Sequence, residues 1–235
     1  MKSINKALIS AAAIAALLGT VPAFADDEVY GNSFRVGSYT VFYHTHADDI
    51  TGPFVPAGVN LKAQDLETLY VGYVRRLSSA FSVELALGYP PLNKVEGKGP
   101  AFVGSVPYNG QVVSTARWLS PTVLLEYNFL SENSKLRPYI GVGVNYTNFY
   151  DRKSTAQGNE GLGGPTKLSL TASVGPAATA GLAYAFSPRW HLYGSYSISR
   201  VNTHVTADTE GVIRTTTLKF GPQALVISGG YSFGP

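Results

Sequence analysis

Two glutamates raise the first chemical question in this 235-residue chain. Glu84 lies in FSVELALGY and Glu126 in TVLLEYNF, each on the polar parity of an alternating run. Paired carboxylates can serve acid–base chemistry or form a selectivity ring. Arg137 shares their parity and Arg75 sits at a strand end, so the same residues can form an ion-pair network, which a narrow enclosure demands of any buried charge. The network is the preferred reading. A second constellation is His44 and His46, two apart on one strand face with Asp48 and Asp49 following. Two imidazoles without a nearby cysteine or an obvious third carboxylate do not complete a metal site, and no metal or cofactor is expected. A third is His191 and Ser195 on one strand, with His204 beyond, the residue types of a nucleophilic hydrolase. No spacing among them is diagnostic, and an enzyme is not expected.

The elements that must position these residues are strands. From Ser120 to Tyr150, Val123, Leu125, Tyr127 and Phe129 alternate with Thr122, Leu124, Glu126 and Asn128. After the polar turn SENSK, Ile140, Val142, Val144 and Tyr146 alternate with Tyr139, Gly141, Gly143 and Asn145. Period two places one set on each sheet face, here an apolar outward face and an inward face of small and polar groups. Gly141 and Gly143 lie inside a strand rather than before a helix, so they form no phosphate loop and instead make room where strands coil or large side chains pack across.

Counting such runs gives eight strands: Phe34 to about Thr45, Leu66 to Arg75, Phe81 to Tyr89, the two arms of the hairpin, Ala177 to Phe186, Arg189 to Arg200, and about Gln223 to Phe233. The first has no clear facing, since both parities mix apolar and polar residues. Connections alternate in length. Short turns lie at Arg76 to Ala80, Leu130 to Leu136 and Ser187-Pro188, and long loops at His46 to Asp65, Pro90 to Leu119, Asp151 to Pro176 and Val201 to Pro222. That alternation, with an even strand count, predicts an all-β fold: an eight-stranded antiparallel up-and-down transmembrane β-barrel with short periplasmic turns, long extracellular loops and periplasmic termini.

Composition supports this class. Charged residues make up 14% of the chain against about a quarter in a soluble protein, so much of the exterior is built for something other than water. Residues 1–25 read as a cleaved signal peptide, with Lys2 and Lys6 before an alanine-rich apolar run and Ala23-Phe24-Ala25 at its end, leaving 26–235 as a single domain. Removing those two lysines leaves 16 basic residues against 15 acidic ones, so the basic pI says nothing about nucleic acid, and no nucleic-acid partner is expected. There is no cysteine to cross-link an exported fold.

LSPTVLLEYNF followed by SKLRPYIGVGVNYTNFYD closely resembles the central region of the OmpW family of outer-membrane proteins. Phe81 to Leu85 resembles that family's third strand, and Gly230 to Phe233 its ending. The chain departs from the pattern in having Gly221-Pro222-Gln223 where the family opens its last strand with Asp-Pro-Trp, and in continuing with Gly234 and Pro235. The resemblance implies a Gram-negative outer-membrane barrel that takes up small hydrophobic molecules passively and passes them sideways into the bilayer. An eight-stranded barrel is only just wide enough for its own side chains, which argues against a wide aqueous pore. Tyr70, Glu84, Glu126, Arg137, Tyr139, Asn145 and Tyr193 are the expected lumen-lining residues, and Val103, Val106, Tyr108, Trp118 and Leu119 the apolar material of a mouth. Expected partners are outer-membrane lipid, the hydrophobic cargo and the insertion machinery during assembly. The alternative function is a structural barrel whose loops bind a host surface, phage or another protein.

Overall fold

The computed structural model describes residues 31–234, so the expected leader over residues 1–25 lies outside the described residues. In chain order the strands are β1 (Asn32–Tyr43), β2 (His46–Ala47), β3 (Asn60–Ala63), β4 (Leu66–Arg76), β5 (Phe81–Gly88) and β6 (Leu92–Lys98). Then follow β7 (Phe102–Val103), β8 (Val106–Pro107), β9 (Val112–Leu119), β10 (Thr122–Asn128) and β11 (Leu136–Ser154). A short helix, α1 (Ala156–Leu162), precedes β12 (Thr166–Leu170), β13 (Ser173–Ala185), β14 (Trp190–Ser199), β15 (Val201–Thr209), β16 (Val212–Phe220) and β17 (Pro222–Phe233).

Eight of these close a ring. The antiparallel order β10-β5-β4-β1-β17-β14-β13-β11 returns to β10, and the first and last strands pair over their whole length from Asn32↔Phe233 to Tyr43↔Pro222. Closure leaves no unpaired edge in the ring, which is what a sheet needs to cross a bilayer. The outward set is apolar, with Val142 65% and Ile227 56% exposed. Near the short-turn end it becomes aromatic: Phe34 stacks on Phe233, Phe81 meets Tyr127 and Trp190 meets Tyr231. Rings of this kind suit the membrane–water boundary.

The expected long loops are largely strand. Beyond the bilayer, β15 pairs with β16 from Val201↔Phe220 to Thr209↔Val212, and β9 pairs with both β6 and the upper half of β11. The reason is visible along β14 and β15. Trp190, Leu192, Tyr196 and Ile198 face outward, and the same parity continues as Arg200, Asn202 and His204, while Val201 and Val205 turn into the interior. The outside changes from lipid to water near Arg200, so the apolar face changes sides while the strand continues. A search for apolar-out strands stops at that boundary.

The structure also fixes the facing of β1. Phe34, Val36 and Phe42 are exposed, whereas Ser33, Arg35, Val41 and Tyr43 are buried inside the barrel.

Candidate functional site: the barrel interior and its mouth

From the periplasmic end upward, the interior opens with a polar vestibule of about 650 Å³, lined by Asn32, Arg76, Glu132, Arg137 and His191 among others. Arg76 and Glu132 pair there at 2.7 Å. Above them lies the charged group. Arg35 Nη1 stands 3.3 Å from Glu84 Oε1 and 3.6 Å from Glu126 Oε1, and its guanidinium lies 4.0 Å from the Tyr193 ring centroid and 5.4 Å from that of Tyr139. The Tyr70 hydroxyl donates to Glu84, and Ser82 Oγ donates to Glu126 Oε2 at 2.9 Å. Tyr70, Glu84, Glu126, Tyr139 and Tyr193 come together here, all facing inward and buried.

The cation that joins them is Arg35, not Arg137 or Arg75. Arg137 lies lower and donates to the Ser79 carbonyl, and Arg75 Nη1 donates to Asn32 Oδ1 at 2.8 Å. Arg35 was hidden by the mixed pattern of β1; only the pairing of β1 with β4 and β17 shows that it points inward. Asn145 sits higher and acts as a stitch. Its Nδ2 donates to Ser120 Oγ at 2.9 Å and Thr122 Oγ1 at 2.8 Å, spanning the backbone at Pro121, which has no N–H of its own.

Tyrosines of this interior sit over glycines. A Cβ on Gly181 would collide with the Tyr139 ring, one on Gly230 with Tyr193, and one on Gly97 with Tyr108. Gly143 serves another need, a close approach to the Val123 carbonyl.

Above the charged group an aromatic layer crosses the interior. Trp118 lies 5.4 Å from Tyr43, 5.5 Å from Phe149 and 5.8 Å from Phe220, ring centroid to centroid. On top of that layer is an apolar cavity walled by the segment before β3 (Ile50, Val55, Val59), by Tyr108 after β8, and by Leu61 of β3, Val113 of β9, Val205 of β15 and Thr216 of β16. Helix α1 closes one side; Thr155 caps it by accepting from Gly158 N at 3.1 Å. Burial pushes the Tyr108 phenol up to about 12, which marks how little water reaches it. Of the expected mouth residues, Val103 and Tyr108 are buried in this region and Trp118 belongs to the layer beneath. Val106 is 47% exposed, and Leu119 alternates outward from Trp118, so neither contributes.

The remaining candidates do not assemble. His44 lies in the break between β1 and β2, so it and His46 share no strand; both are exposed. Asp48 is held by Lys219 at 3.2 Å, and Asp49 accepts from Gly58 N at 2.9 Å. His191 Nδ1 lies 3.5 Å from Ser232 Oγ in the lower vestibule. Ser195 is four residues further up β14, roughly 13 Å by strand rise, and His204 is exposed on β15. The three are not within reach of one another.

The OmpW family model matches residues 32–233, the whole ring and everything it carries. The chain belongs to the OmpW family. Outer membrane protein W of Vibrio cholerae serotype O1 is 31% identical over 230 residues, covering 97% of this chain and all of that protein. The dibenzothiophene metabolism operon protein PahQ of Pseudomonas aeruginosa is 30% identical over 137 residues, covering 56% of this chain and 58% of that one. Among solved structures, the crystal structure of the outer membrane protein OprG from Pseudomonas aeruginosa superposes with a TM-score of 0.78 at 22% identity, over 87% of this chain and 97% of that one. This OmpW-family chain is thus an eight-stranded outer-membrane barrel of a Gram-negative bacterium.

One feature of the wall was not foreseen from the sequence. Between β5 and β10 the ladder ends at Ala86↔Thr122, and between β6 and β9 it resumes at Leu92↔Arg117. Pro90, Pro91 and Pro121 fall in the interval, and Arg117 Nη1 bridges it by donating to the Pro90 carbonyl at 2.8 Å. Behind this seam is a small crevice lined by Tyr39, Tyr43, Leu66, Gly88, Pro91 and Trp118 among others.

Proposed function

We propose that the barrel takes up small hydrophobic molecules passively, receiving them in the upper apolar cavity and releasing them sideways into the bilayer through the seam between β5–β6 and β9–β10. The observation that carries this reading is the order of layers along the axis: an apolar cavity open at the mouth, an aromatic floor, and beneath it a buried ion-pair group across the interior. An apolar guest gains from the first two environments and is opposed by the third, where it would have to displace buried charge. The interrupted ladder offers a route that breaks no strand pairing. The name of the PahQ relative, which ties that protein to dibenzothiophene metabolism, agrees with a hydrophobic aromatic cargo.

The test is uptake of labelled naphthalene or dodecane by cells lacking the barrel, cells carrying it, and cells carrying Ala207→Trp, which fills the cavity from β15. Wild type should accelerate uptake, and Ala207→Trp should remove most of the gain while the barrel still inserts. Equal uptake with and without the protein would sink the proposal. A diazirine-bearing alkane should label the segments 87–92 and 119–121; labelling confined to the periplasmic vestibule would instead favour passage straight through.

A further inference from the structure

The outward face of the strands above the bilayer is not uniform. On the wall formed by β3, β6, β9 and β11, register sets Leu92, Arg117 and Tyr150 in one row, Lys94, Thr115 and Lys153 in the next, and Lys62 opposite Glu96 in another. Lys98 lies opposite Asn60 on the same face. Neighbouring strands are about 4.8 Å apart, so Lys94 and Lys153 flank Thr115 roughly 10 Å from one another. The lowest row carries the apolar and aromatic Leu92 and Tyr150, continuous with the lipid-facing Val142 and Val144 of β11, and the cations stand immediately above it.

Among the described residues this face carries Lys62, Lys94, Lys98, Arg117 and Lys153 against Asp151, Glu96 and, at its upper end, Asp49, which accepts from Asn60 Nδ2 at 3.3 Å; Arg152 of β11 turns aside to the Leu170 carbonyl. Asp151 is shared between Lys153 at 3.0 Å and Arg117 at 3.7 Å, and Glu96 accepts from Gln64. On the opposite wall of β2, β12, β15 and β16, the outward lysines are Lys167 and Lys219; Asp208 faces outward there and Asp48 takes Lys219. The rest of that face is mainly threonine, asparagine and histidine.

We propose that the β6–β9–β11 face is a binding site for a phosphorylated glycolipid of the outer leaflet, its acyl chains lying along Leu92, Val144 and Val142 and its headgroup phosphates held by Lys94, Lys153 and Arg117. Two observations commit the face to a lipid rather than to a soluble anion: the cations rise directly from the lipid-facing surface, and their excess is larger here than on the opposite wall, where Lys167, Lys219 and Arg200 stand with Asp208 and Asp48. Lysine supplies point charges that tolerate varied phosphate positions, while arginine fixes geometry through its fork. Each cation beside an anionic membrane surface strengthens attachment by roughly fivefold. None of these side chains lines the upper cavity, although Arg117 and Leu92 border the seam proposed above as the exit.

The experiment uses the full-length barrel in detergent, titrated with bis-phosphorylated lipid A and read by native mass spectrometry, with heat-modifiable mobility as the check on folding. Lys94→Gln/Lys153→Gln should weaken the complex roughly tenfold or more, and Lys167→Gln/Lys219→Gln should change it less than about twofold. Lipid A stripped of phosphate should bind the wild type as weakly as intact lipid binds the double variant. Equal losses in the two double variants, or undiminished binding of the dephosphorylated lipid, would overturn the assignment. Competition by inorganic pyrophosphate at concentrations matching the lipid would also overturn it, by showing a site for free phosphate.

Discussion

Arg35 Nη1 and Glu84 Oε1 stand 3.3 Å apart with each side chain only 5% exposed, in the middle of a barrel whose outside is lipid. Glu126, 0% exposed, shares the same guanidinium. The three side chains come from β1, β5 and β10, and β4 lies between the first two in the ring. One guanidinium serves two carboxylates there, with the Tyr70 and Ser82 hydroxyls donating to them as well.

Removing the cation therefore costs more than removing the whole group. Arg35→Met is expected to destabilise the barrel by about 3–5 kcal/mol, the usual penalty for stranding a buried charge. Arg35→Met/Glu84→Gln/Glu126→Gln should recover much of that loss. Urea-dependent unfolding from lipid vesicles measures both, and a single variant as stable as wild type would show that the carboxylates are compensated elsewhere.

Gly181→Ala places a methyl group against the Tyr139 ring, which is buried and has little room to move. Overpacking of this kind costs about 1–3 kcal/mol. Tyr139→Leu in the same chain should relieve it. Gly194 of β14 faces open space, so Gly194→Ala should be close to neutral by the same unfolding measurement.

The bilayer boundary near Arg200 can be located by arginine scanning. Val142→Arg on the lipid face of β11 should cost about 2–4 kcal/mol if it lies near the membrane centre. Asn202→Arg, outward on β15 but beyond the boundary, should cost almost nothing. Comparable penalties at both sites would mean that the β15–β16 hairpin is embedded.

The two tryptophans report on different solvents. Trp190 is 58% exposed on the outer surface near the periplasmic end, while Trp118 lies in the layer beneath the apolar cavity. In Trp190→Phe the remaining fluorescence should be quenched by a brominated alkane and only weakly by lipids brominated along their chains. The reverse order would show that Trp118 faces the bilayer.

The lower barrel was legible because lipid outside and polar groups inside impose a strict alternation: Phe81 to Gly88 and Ala177 to Ala185 carry it almost without exception. Family resemblance and alternation agreed on eight strands, and alternation alone put Glu84, Glu126, Tyr139 and Tyr193 on the inward parity. Arg35 escaped because Gly37, Ser38, Tyr39 and Thr40 erase the contrast between the faces of β1, and only register with distant strands restores it. The upper strands escaped for a different reason. From Val201 to Phe220 the apolar Val201, Val205, Leu218 and Phe220 turn inward, reversing the sign of the pattern, while inward Thr203 and Arg214 and outward Ile213 blur it. The Tyr139–Gly181 and Tyr193–Gly230 pairings join residues on different strands, a relation that spacing within one strand does not carry.

The strands that continue past the bilayer have a thermodynamic consequence for whatever the upper cavity receives. Strands supply about half of its lining and α1 braces one side, so that part of the receptacle is held by backbone hydrogen bonds when it is empty. Under the proposed function a guest would give up its own freedom but freeze little of that strand wall, and the cost of fitting would depend largely on its girth. If the proposed uptake holds, such a container would discriminate by size and accept chemical variety.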